Sequence, residues 1–118
     1  MTGQDNGPDK LVVIWSSGDR EVARKLVFMY TKNSRLQEWW GEVDLVVWGP
    51  SAQLLSVDKE LQEELEDLKA AGVKLLACKA CSDMYGVSAD LEALGVKVVY
   101  MGTPLTEYLK SDCKVLTF

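Results

Sequence analysis

The chain has 118 residues, 47% apolar and 26% charged, with 13 Lys and Arg against 18 Asp and Glu for a net charge of −5. That composition fits one globular domain with a sizeable core, and its acidic balance argues against a nucleic-acid or anionic-membrane surface, which needs clustered positive charge. There is no histidine, so Ser-His and Cys-His catalytic pairs and histidine metal sites are excluded.

Residues 1–10 are polar, with Gly3, Gly7 and Pro8. They predict a flexible tail with no signal-peptide core, ahead of a single domain over 11–118. No apolar run anywhere approaches the ~20 residues that span a bilayer. Leu11 to Trp15 is a continuous apolar run and reads as a first strand covered on both faces. Asp19 is placed to cap a helix from Arg20 to about Leu36, with Val22, Leu26, Met29 and Tyr30 on one face. Trp39 and Trp40 follow, and neighbours on a helix end do not share a face, so one of them is expected at a subunit interface. Val43 to Trp48 is the second strand. A short helix or turn over Ala52 to Val57 leads to Asp58, which caps a helix ending at Ala71. Leu61, Leu65 and Leu68 are its buried stripe; Glu60, Glu63, Glu64, Glu66 and Asp67 are its solvated face.

The third strand begins at Val73 and runs through Leu75, Leu76 and Ala77 into Cys78-Lys79-Ala80-Cys81. Ser88 is expected to cap a short helix through Leu94, and Val96 to Tyr100 forms a fourth strand. Thr103 as cap and Pro104 in the first turn start a helix with Leu105, Tyr108 and Leu109 as its apolar face. Cys113 to Phe118 makes a last strand. Strands alternating with helices over short connections predict a parallel sheet with helices on both faces, a doubly wound α/β domain. Strand order is not readable from the pattern.

Three cysteines, an odd number with no secretion signal, predict reduced thiols in a cytosol. The Cys-x-x-Cys falls where the third strand meets the next helix, the edge at which open α/β sheets bind ligands. Four readings of it stand side by side. Both thiols could be packed as small hydrophobes. A structural zinc needs four ligands, and only Cys113 remains to complete a set. A thioredoxin-like dithiol normally follows an early strand, and Pro104 reads as a helix-start proline rather than the cis-proline of such a site. The fourth reading is a thiolate that carries sulfur as a persulfide or sulfenate, which needs one ionised, partly exposed cysteine and no histidine. The pattern points to no cofactor and no metal.

Cys78-x-x-Cys81-x-Asp83-x-x-Gly86-Val87 after Val-Lys-Leu-Leu-Ala resembles the cysteine segment of the DsrE-like family. Ser16-Ser17-Gly18 before an apolar helix, Val46 to Leu55, and Leu61 to Gly72 resemble its other pieces in the same order. The resemblance implies a three-layer α/β/α fold with a five-stranded parallel sheet. It also implies a homo-trimer or homo-hexamer and a role in sulfur relay with donor and acceptor proteins. By spacing to Gly86, Cys78 matches the cysteine that carries sulfur in active members, and Cys81 a second cysteine present in some. If Cys81 reaches Cys78 it resolves a persulfide into a disulfide, which would make the protein a dithiol redox protein; with inert thiols it would be a binding module. Lys79 is adjacent to Cys78 and positive. Ser16 and Ser17 could bind an anion at the same sheet edge, where a turn with capping serines is the plainer reading. Asp83 and Tyr85 could hydrogen-bond a sulfur species, and Cys113 reads as structural. The expected location is cytoplasmic.

Overall fold

The computed structural model describes residues 9–118, so the expected tail over 1–10 lies outside the described residues except for Asp9 and Lys10. Those two are already ordered into the fold. The backbone carbonyl of Asp9 accepts from the amides of Gly41 and Glu42, and Lys10 opens the first strand. The five strands are β1 (Lys10–Trp15), β2 (Glu42–Val47), β3 (Lys74–Cys78), β4 (Lys97–Val99) and β5 (Lys114–Thr117). They form one all-parallel sheet in the order β4-β3-β2-β1-β5.

The first connection consists of α1 (Arg20–Val22), a π-helical stretch over Ala23–Phe28, and α2 (Met29–Leu36). It is followed by α3 (Pro50–Val57), α4 (Lys59–Ala70), α5 (Lys79–Tyr85), α6 (Ser88–Ala93) and α7 (Gly102–Lys110). From β1 to β4 the chain steps across the sheet in one direction, and right-handed crossovers then place the intervening helices on one side. The larger core lies there. Leu11, Val13 and Trp15 of β1 meet Val27 and Phe28, Leu55, the Leu61-Leu65-Leu68 stripe of α4, and Leu91 of α6. Each of the three α4 leucines is at most 1% exposed, and burying such a side chain stabilises by roughly 1.5–3 kcal/mol. The return from β4 to β5 crosses the other side, where α7 lies over Val12, Ile14, Val46, Leu76 and Cys78.

Four sequence expectations shift. Of the expected face, Val22 and Tyr30 pack partly buried against the core, but Leu26 and Met29 are 50% and 54% exposed, and Ala23, Val27 and Phe28 are the buried residues. A π turn takes up an extra residue, so a stripe spaced for an α-helix rotates out of the core. Ser88 does not cap α6. It is the first helical residue, Val87 holds the cap position, and the serine hydroxyl instead donates to Asp83. The last helix begins at Gly102 rather than after Thr103, because Met101, 1% exposed, is fixed in the core immediately before it. Leu109 is exposed, so only Leu105 and Tyr108 of the expected face pack inward.

Candidate functional site

Alternation along β3 sets the site. Leu75 and Ala77 point into the larger core, while Leu76 and Cys78 point to the α7 side. Cys78 keeps extended backbone angles, φ −73° and ψ 114°, and serves as the N-cap of α5 without a capping hydrogen bond from its own side chain. The strand-to-helix junction is thus where the sequence placed it. The exposure is not. The sulfur-bearing role called for a partly exposed thiol at Cys78, and Cys78 is 5% exposed, packed in the cluster of Val12, Ile14, Val46, Leu76 and Met101. Cys81, one turn later, is the partly exposed thiol of the pair.

Cys81 also has a partner that sequence reasoning missed. The backbone N–H of Gly49 donates to its Sγ at 3.0 Å. Gly49 follows β2 with φ +79° and ψ −146°, a region essentially reserved for glycine. The next residues pin this loop in place. Ser51 Oγ donates to the Trp15 carbonyl and accepts from the Trp48 amide, and the Ser51 amide donates to the Ser16 carbonyl. The loops after β1, β2 and β3 are therefore fastened side by side. A Gly-Pro-Ser after an apolar strand was the only sequence signal for this, and it does not reveal which sulfur the glycine amide meets 32 residues away.

The remaining candidates are placed as follows. Lys79 Nζ pairs with Asp83 at 3.0 Å along α5 and lies 5.8 Å from the Tyr100 ring centroid. Its pKa is raised, chiefly by that hydrogen bond. Asp83 is held below the usual carboxylate range, first by the Ser88 hydroxyl and then by Lys79. The charge of Lys79 is thus shared with Asp83. Ser88 also bonds the buried Ser82 hydroxyl at 2.6 Å, which ties α6 to α5. Tyr85 closes α5 and is 38% exposed. Ser16 Oγ donates to the Phe118 carbonyl at 2.9 Å, and Ser17 Oγ accepts from the Asp19 amide at 3.0 Å. Both serines sit on the carboxyl edge at β1, two strands from Cys78, with their hydroxyls engaged in backbone bonds.

At the opposite end of the α7 side lies a second polar group. Asp44 of β2 is 2% exposed. Its Oδ2 accepts from the Tyr108 hydroxyl at 2.7 Å and pairs with Lys10 Nζ at 3.2 Å. Burial and the facing Asp44 carboxylate push the Tyr108 phenol far above its usual range. Cys113, half-buried, receives the Ser111 hydroxyl and donates to the Tyr108 carbonyl, a local turn arrangement. Among the described residues no three His, Cys, Asp or Glu side chains come together as a metal site. Likewise, none of the described helices is long and apolar enough to cross a membrane.

A model of the DsrE/DsrF-like family matches residues 10–118. No match was found among curated protein sequences. The fold is similar to that of the solved structure of BT1422, a conserved protein of unknown function from Bacteroides thetaiotaomicron. The TM-score is 0.90 at 34% identity, covering 93% of this chain and 95% of that one. The ychN protein from E. coli is similar with a TM-score of 0.73 at 22% identity, over 93% and 99% of the two chains. MTH1491 from Methanobacterium thermoautotrophicum, also described as of unknown function, gives 0.74 at 21% identity over 92% and 98%.

Proposed function

The chain belongs to the DsrE/DsrF-like family, and on that premise we propose that it carries sulfane sulfur as a persulfide at the Cys78–Cys81 junction. Cys78 is the holding thiol and Cys81 the thiol that meets solvent. The observation that carries the reading is the division of labour at the start of α5: one cysteine nearly sealed, the other partly exposed and facing the Gly49 N–H. In loading, the Cys78 thiolate attacks the terminal sulfur of a donor persulfide, forming Cys78–S–S⁻ and releasing the donor thiolate. In unloading, an acceptor thiolate attacks that terminal sulfur and Cys78 leaves as thiolate. Were Cys81 to attack the Cys78 sulfur instead, a disulfide would form and hydrosulfide would leave. A nearly sealed position shields a persulfide from stray reductants and oxidants, and loading then requires that the cover over Cys78 move aside.

Intact mass after loading with a sulfane donor, for wild type, Cys78→Ser and Cys81→Ser, tests this. The expected result is an adduct of about 32 Da, one sulfur atom, on wild type and Cys81→Ser and none on Cys78→Ser. A disulfide without adduct would establish a dithiol redox protein instead, and no change in any form would leave a binding module with inert thiols. We further propose that the working form is a homo-oligomer, a trimer or hexamer. Leu26, Met29, Trp39 and Leu116 are 50%, 54%, 57% and 39% exposed and line one cleft of about 380 Å3 beside Tyr30 and Phe118. Trp40 turns inward and donates to the Tyr30 hydroxyl, which leaves Trp39 as the outward ring of the pair. A monomer by light scattering at micromolar concentration would overturn that part.

A further inference from the structure

We propose that α7 is a lid over Cys78, latched at its far end by the Tyr108–Asp44 hydrogen bond. The proposal rests on reading Cys78 as the holding thiol, since a carrier must at some point admit its donor and acceptor.

The two sides of the sheet are covered unequally. The larger core packs under the π-helical stretch and under α3, α4 and α6. The side bearing Cys78 is covered by Leu105 and Tyr108 of α7 together with Met101, Trp48, Val99 and Cys81 of α5. No residue within α7 is fully buried. Its grip consists of Leu105 and Tyr108, both half-buried, below the buried Met101 that precedes it. An element held by so few buried groups is drawn from the low-stability end of a structure.

Among the described residues, the latch is the one side-chain polar contact that joins α7 to a central strand. Asp44 stands on β2 beside Val12 and Val46 with 2% exposure. A buried carboxylate is costly unless paired. The groups that satisfy it are the Tyr108 hydroxyl from α7 and Lys10 Nζ from β1, whose ammonium also lies 5.1 Å from the Tyr108 ring centroid. Removing the Tyr108 hydroxyl therefore removes the hydrogen bond that α7 gives Asp44, while the Lys10 pair within the sheet stays. With α7 raised, Asp44 and Lys10 can pair with each other and with water, so the open state is not left with an orphaned charge. Cys78, Leu76 and Ile14 lie in the same cluster and would be uncovered together.

Alkylation of each cysteine by iodoacetamide, resolved by peptide mapping under native conditions, tests the lid. Tyr108→Phe is expected to raise the Cys78 rate roughly ten- to a hundredfold, the range a charge-assisted hydrogen bond commands, with a much smaller change at Cys81. Amide exchange over residues 102–110 should quicken in the same variant. Leu65→Ala is the control: it weakens the opposite core and leaves the latch intact, so Cys78 should respond far less than in Tyr108→Phe. An unchanged Cys78 rate in Tyr108→Phe, or an equal rise in Leu65→Ala, overturns the proposal. Alkylation does not require that the protein load sulfur, so a missing persulfide adduct and a missing lid are separate results.

Discussion

Replacing Gly49 by alanine tests the link between backbone conformation and the cysteine site. At φ +79° and ψ −146° an L-residue is strained by about 1–3 kcal/mol. A Cβ built there meets only the Ser16 carbonyl oxygen, at 3.7 Å, an ordinary contact. The whole effect is therefore conformational, with no steric clash to confuse it. Gly86 supplies the comparison. It has φ +70° and ψ 29° in the left-handed helical region, with nothing within 4 Å of a built Cβ, and alanine there costs only about 1–2 kcal/mol. Urea unfolding should place Gly49→Ala below Gly86→Ala, and both below wild type. The melting temperature should fall by about 4 °C for each kcal/mol lost. If the loop instead relaxes to escape the strain, the Gly49 N–H swings off the Cys81 sulfur, and the Cys81 alkylation rate changes while that of Cys78 does not. A Gly49→Ala protein as stable as wild type, with Cys81 reacting at the wild-type rate, would show that neither the conformation nor the N–H contact is enforced.

Leu65→Ala should lower stability by about 2–5 kcal/mol in urea unfolding, because Leu65 is fully buried between α4 and the sheet and its loss leaves a cavity; a loss under about 1 kcal/mol would mean that the helix collapses onto the strand. Thr31 is buried with no partner for its hydroxyl among the described residues, so Thr31→Val should stabilise by about 1 kcal/mol; a destabilised variant would refute the orphaned hydroxyl. The Asp58 carboxyl is held below the usual range, first by the Leu61 amide and then by Arg20, while partial burial opposes this. A lowered folded-state value adds stability that is present above the unfolded carboxylate value, about 4, and is lost as pH falls through the folded value. Asp58→Ala should thus cost about 1 kcal/mol at pH 7 and progressively less on acidification below about pH 4; a gap that stays constant down to pH 2 in urea titrations would refute the assignment.

The strands, the α4 stripe and the cysteine junction were legible because each depends on residues close in sequence. Apolar runs bounded by glycine mark β1 to β3, and Asp58 capping Leu61-Leu65-Leu68 follows directly from helical spacing. What was not legible depends on long-range placement. The π-helical turns rotate Leu26 and Met29 outward, and nothing in their spacing differs from an ordinary helix. Which thiol would be sealed depended on Met101, Trp48 and α7 gathering on the Cys78 side of the sheet. The Gly49 donor to Cys81 required knowing that β2 and β3 are neighbours with their following loops in contact. Tyr108 looked like one member of an apolar face, and its bond to Asp44 spans 64 positions.

The strand order has a consequence for synthesis. β1 has β2 on one side and β5 on the other, in register from Leu11↔Lys114 to Ile14↔Thr117. While a nascent chain is being made, the first neighbour emerges soon after β1 and the second only after β2, β3 and β4. Until then, Leu-Val-Val-Ile-Trp presents an uncapped edge of high β-propensity and no charge, the kind of segment that recruits other chains. Closing that edge is the most non-local step of folding and the one expected to limit its rate. Fragments that stop before β5 should therefore be the species that holdase chaperones capture.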